Sequence, residues 1–225
     1  MEGGKELNVV GRLSDQYGKS PAIRALLQLI PAWGVADTLL QQRVDEIRSD
    51  RLRTFFNELA IGKIELSEGL IESEDFLHCY FCTLRAVLNS RRREKIQMFA
   101  KLLTSSVRQP DLDLGEEFEE LLNVLDMVTL KEFGVLSDLY KFERQHPPTE
   151  DEHEVTNARR YWDKFRKEVS LKYSIAESEF TPFMARLERT GLYLRITITV
   201  MDYDGDMGRT TPLFSRLIQL IELEK

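Results

Sequence analysis

Apolar positions along this chain follow two periods. Over most of its length they recur at three or four residues, as on one face of a helix. In one stretch near the end, Leu194-Arg195-Ile196-Thr197-Ile198-Thr199-Val200, they alternate with polar residues, as in a half-buried antiparallel strand. The first helical segment is Pro21–Ile30, opened by Pro21 and stopped by Pro31. Together with Ala32–Leu40 it reads as a buried helical hairpin. Its alternative is a membrane or partner contact made by Leu26, Leu29, Ile30 and Trp33. From Val35 to Ala60, Leu40, Val44, Ile47, Phe55 and Leu59 fall on one stripe, and Arg48, Arg51 and Arg53 lie among Asp45, Glu46 and Asp50 for surface pairing. Ser73 is the expected N-cap of a helix carrying Phe76, Tyr80, Phe81, Leu84 and Val87. Ser90 is the expected cap of the next, Arg91–Val107, which buries Ile96, Phe99, Ala100 and Leu103. Four helices with short connections predict an antiparallel bundle over residues 1–110.

Arg108–Gly115 gathers proline, glycine and acid and marks a domain boundary. Beyond it the pattern predicts a helix over Glu116–Val128, then one capped by Thr129 with Glu132 completing a capping box. A long helix through Ala158–Leu171 follows, and another opening near Ser178 and closed by Gly191. Then come the alternating strand, a tight turn from Asp202 to Gly208, and a closing amphipathic helix. The expected architecture is mainly α, with one β-hairpin in a C-terminal α+β module over residues 111–225.

Charge narrows the functions this fold can serve. The 225 residues carry a net charge of -7. Residues 1–110 hold sixteen Lys and Arg against fourteen Asp and Glu; residues 111–225 hold fifteen against twenty-four. That balance opposes indiscriminate nucleic-acid binding, which needs a basic footprint. No apolar run reaches the roughly 18 residues that span a bilayer, and the first residues lack the pattern of a signal peptide, so a cytoplasmic location is expected.

Three stretches suggest chemistry. His78-Cys79-Tyr80-Phe81-Cys82 contains a C-x-x-C, but no second cysteine pair exists and the other histidines, His146 and His153, lie far along the chain. Core cysteines are expected, with no metal and no cofactor. Arg91, Arg92, Arg93 and Lys95, with Lys101 further on, form a candidate anion-binding run, because cations in a first helical turn oppose the helix dipole. Their nearest internal partners in sequence are Glu116–Glu120. Asp202-Tyr203-Asp204-Gly205-Asp206 looks like a calcium loop until the loop's sixth and twelfth positions are read: they hold Met207 and Leu213 where glycine and glutamate are needed. A hairpin turn is the expectation. The chain has no glycine-rich phosphate loop, G-x-S-x-G or H-E-x-x-H, and enzymatic activity is not expected.

The order Thr-Leu-Lys-Glu-Phe-Gly-Val-Leu, a later Leu-Glu-Arg-Thr-Gly-Leu, a hairpin and then Thr-Thr-Pro-Leu-Phe-Ser-Arg-Leu-Ile resembles a winged-helix domain over Thr129–Ile221. The whole chain is similar to bacterial abortive-infection alpha-type helical proteins through Pro-x-Trp-Gly, Arg-Ser-Asp-Arg-Leu-Arg-Thr-Phe-Phe and Arg-Arg-Arg-Glu-Lys-Ile-Gln-Met-Phe-Ala. That resemblance implies a cytosolic defence or stress protein. A DNA-reading winged helix places donors at the start of its third helix; here that start holds Glu177, Ser178 and Glu179, with Arg186 and Arg189 toward the far end. The wing holds Asp202, Asp204 and Asp206 with Arg209 opposing. These residues suit a protein partner better than DNA. The leading expectation is a non-enzymatic interaction or regulatory protein that meets a protein partner or a second copy of itself. Nucleic-acid binding through the Arg91 run comes next, and peripheral membrane attachment after that.

Overall fold

A computed structural model describes residues 21–29, 38–64, 66–109, 112–150, 152–196 and 207–222, the side chains at 24, 28, 38–45 and 68 aside. The protein is mainly α-helical, with one two-stranded antiparallel hairpin among the described residues. Contacts divide the chain into two units, residues 1–122 with 220–225, and residues 123–219. The first division falls between Leu122 and Asn123, inside a continuous helix, whereas the boundary expected from sequence lies at Pro110 and Asp111, outside the described residues.

The first unit contains α1 (Pro21–Gln28), α2 (Thr38–Ile61), the short α3 (Glu68–Ile71), α4 (Glu74–Asn89), α5 (Arg93–Arg108) and the start of α6 (Glu116–Met127). Ser73 caps α4 as expected, its hydroxyl accepting from the Phe76 amide, with Glu74 and Asp75 at the positive end of the helix dipole. Ser90 takes a different role from the one its sequence position predicts. Its amide donates to Ala86 and Val87, which closes α4, and its hydroxyl sits 3.5 Å from the Arg92 carbonyl. Helix α5 therefore starts two residues later than expected, at Arg93, without a side-chain cap.

Contacts in matching order, Asp50 with Arg93, Glu58 with Lys101 and Gly62 with Arg108, run α2 and α5 parallel. Arg51 donates to the Leu88 carbonyl at the end of α4. The two-residue connection after Ser90 folds α4 back against both, antiparallel to each. Phe55, Phe56 and Leu59 of α2, Phe76, Tyr80 and Val87 of α4, and Ile96, Phe99 and Leu103 of α5 form the core. Each such side chain contributes about 1.5–3 kcal/mol on burial. Ile47 departs from its expected stripe and is 50% exposed.

The second unit carries the rest of α6, then α7 (Leu130–Gln145), α8 (Glu154–Arg159), α9 (Trp162–Lys172), α10 (Glu177–Glu188), β1 (Tyr193–Arg195), β2 (Gly208–Thr210) and most of α11 (Pro212–Glu222). The Thr129–Glu132 capping box is present. The single helix expected through Ala158–Leu171 is two: the Arg160 and Tyr161 amides bond three residues back, and Tyr161 leaves helical geometry at φ -130°. That break aims Tyr161, Trp162 and Phe165 into an aromatic core. Phe165 meets Phe142 edge-on at 5.8 Å, and Trp162 meets Phe180 at 6.4 Å. Gly191 stops the chain after α10 at φ +73°, where a side chain would be strained.

The hairpin pairs Tyr193 with Thr210, Leu194 with Arg209 and Arg195 with Gly208. Leu194 departs from the expected alternation and is 46% exposed, with Tyr193 buried in its place, while Ile196 is buried as expected. Gly208 is the reason: the Tyr193 ring lies where a side chain at 208 would stand. Thr197–Val200 and the turn with Asp202, Asp204 and Asp206 lie outside the described residues.

Candidate functional site

In the helical unit the parallel run of α2 and α5 sets two polar stripes against each other. Positions 50, 54 and 58 of α2 face positions 93, 97 and 101 of α5, four residues apart on each helix, which keeps each set on one face. The Arg93 guanidinium spans both Asp50 carboxylate oxygens, at 2.9 and 3.1 Å. The Glu58 carboxylate, almost fully buried, accepts from Gln97 Nε2 at 3.2 Å and faces Lys101 Nζ at 3.6 Å. Above this seam opens a cavity of about 530 Å³, lined by Thr54, Asn57, Glu58, Ile61, Arg93 and Gln97 among others. Ile61, 67% exposed, places an apolar side chain at its rim.

The candidate anion-binding residues therefore split. Arg93 and Lys101 turn to carboxylates of α2, not to the Glu116–Glu120 run expected from sequence; Glu119 instead faces His78 at 3.7 Å. Lys95 lies 6.0 Å above the Phe99 ring. Arg91 and Arg92 are exposed and make no ion pair among the described residues. The matching eight-residue spacing, Asp50 to Glu58 and Arg93 to Lys101, was present in the sequence; the parallel direction that joins them was not.

Leu26 is fully buried, and its carbonyl accepts from the Tyr80 hydroxyl at 2.8 Å, so it is a core residue and not a membrane or partner contact. Leu29 is half-buried, while Ile30 and Trp33 lie outside the described residues. Among the described residues no helix is long and apolar enough to cross a membrane.

In the second unit the cations near the expected contact face are held by carboxylates of the same unit. Arg186 faces Glu132 at 3.8 Å and lies over the Phe183 ring; Arg195 faces Glu188 at 3.2 Å; Arg209 faces Glu154 at 3.1 Å. Arg189, one residue beyond α10, is exposed with no ion pair among the described residues. Beneath the hairpin, Glu143 accepts from the Thr210 amide at 2.7 Å and from its hydroxyl. Burial raises the Glu143 carboxyl above its ordinary range, against the opposing pull of both Thr210 bonds and Arg209.

The C-x-x-C lies on α4, and its two thiols are free and differently placed. Cys79 is buried and donates to the Leu114 carbonyl, as a core cysteine should; Cys82 is half-buried, at the helix surface. Among the described residues no three His, Cys, Asp or Glu side chains are arranged to hold a metal ion. With this geometry in view, no protein-family model, curated protein or solved structure matches the chain.

Proposed function

We propose that this chain is a non-enzymatic interaction protein that works by binding a protein partner. The observation that supports the reading is the pairing of Arg186, Arg195 and Arg209 with Glu132, Glu188 and Glu154. A winged-helix-like unit that reads DNA must offer free cations to phosphates; here three of them are already engaged beside an α10 start that carries Glu177 and Glu179. The α2–α5 cavity is the docking surface we favour. It combines an exposed apolar anchor, Ile61, with a hydrogen-bonded polar wall, the mix found at protein interfaces. The abortive-infection resemblance adds a bacterial defence or stress setting to this proposal.

The test is fluorescence anisotropy of the purified chain with duplex DNA across a salt series. The expected result is no binding that strengthens steeply as salt falls. Steep low-salt binding would overturn the reading. One observation favours a second reading: Arg91 and Arg92 stand exposed at the positive end of α5. Should nucleic acid bind through them, the Arg91→Glu, Arg92→Glu double variant abolishes the shift; a shift that survives excludes that site.

A further inference from the structure

The exposed side of α4 carries a nucleophile with its own base. His78, Cys82 and Arg85 fall at i, i+4 and i+7, one line along the helix. His78 Nε2 lies 3.5 Å from Cys82 Sγ, and Arg85 Nη2 lies 3.7 Å from the same sulfur. From α6, Glu119 brings a carboxylate oxygen to 3.7 Å from His78 Nε2. A thiol beside an imidazole, with a guanidinium on the sulfur, is the arrangement of an activated cysteine. Cys79, one turn earlier, is its opposite. It is buried, its sulfur is committed to a backbone carbonyl, and burial, then the neighbouring Cys82, pushes its thiol up to about 12.

We propose that Cys82 is a redox modification site that takes a low-molecular-weight disulfide of the glutathione class, with His78 as its base. With the ring proton on Nδ1, His78 Nε2 accepts the Cys82 proton, and the imidazolium that forms faces Glu119. The Cys82 thiolate attacks one sulfur of the disulfide while Arg85 donates to the charge on sulfur. A bond forms between Cys82 Sγ and that sulfur, and the reagent's own S–S bond breaks. The departing thiolate takes the proton from His78 and leaves as free thiol. Cys82 is oxidised to a mixed disulfide and the reagent is reduced, so atoms and electrons balance. A second thiol reverses the step.

The experiment treats the purified full chain with oxidised glutathione near neutral pH and maps the adduct by peptide mass spectrometry. The expected adduct is on Cys82, forming at least about tenfold faster than on Cys79. Cys82→Ser abolishes it and Cys79→Ser leaves it in place. His78→Gln and Arg85→Gln each slow it severalfold. Apart from Cys79→Ser, which is buried, these changes sit at or near the surface, and circular dichroism checks that each variant is folded. An adduct on Cys79, no adduct on folded protein, or a rate that neither His78→Gln nor Arg85→Gln changes would overturn the assignment.

Discussion

At the scale of single residues, two positions carry more than their chemistry suggests. Gly134 sits in α7 where an added Cβ would meet the Tyr173 hydroxyl at 2.5 Å. That hydroxyl donates to Asp138 at 2.9 Å, and Lys172 reaches the same carboxylate at 2.6 Å. Ala is the better helix former, so an exposed Gly→Ala change would add stability. Here crowding wins: Gly134→Ala is expected to cost about 1–3 kcal/mol in urea unfolding. A stabilised variant would show that the Tyr173 contact yields freely. Glu143 is the second. Its carboxyl binds a proton more tightly folded than unfolded, because burial raises it. Its contribution is fully present below the ordinary carboxylate range and is lost as pH rises through the raised folded value. The stability difference between the wild type and Glu143→Gln, measured by denaturation from pH 4 to 7, is therefore expected to move against the wild type as pH rises. A difference that does not vary with pH would contradict the assignment.

At the scale of elements, the charged seam between α2 and α5 is uneven. The Arg93–Asp50 pair is largely solvent-exposed and worth about 0–1 kcal/mol. Glu58 is buried, and its partners decide whether its carboxylate is compensated. Lys101→Met is expected to cost about 1–3 kcal/mol, while Arg93→Gln stays within about 0.5 kcal/mol; equal losses would show that burial does not separate the two pairs. Much of the element layout was legible in advance. The caps at Ser73 and Thr129, the stop at Gly191 and the apolar stripes of α4 and α5 are local, and local sequence carries them. The misses came from elsewhere. Ser90 satisfies the cap rule for either helix, and only the chain path assigns its amide to α4. Tyr193 faces inward because a glycine stands two positions away across the hairpin, a contact between strands that no single-strand pattern contains. The candidate site was legible in its residue types and not in its pairings. Arg93 and Lys101 had visible charge, but their partners lie 43 residues away in sequence, on a helix whose direction the pattern does not state.

At the scale of the whole molecule, the chain joins a helical unit and a smaller helix-and-hairpin unit under an acidic net charge of -7. That charge alone opposes polyanions only weakly, since a local cationic face overrides it. The decisive matter is whether the second unit's arginines are available. The most direct measurement compares the wild type with the Glu132→Gln, Glu154→Gln, Glu188→Gln triple variant in duplex-DNA anisotropy over a salt series, so that Arg186, Arg195 and Arg209 lose their carboxylates while their positions stay. The account predicts no salt-steep binding by the wild type. It predicts salt-sensitive binding by the variant, with a log–log slope that steepens by roughly 0.9 for each arginine that reaches a phosphate. Wild-type binding with the same steep slope as the variant would contradict it.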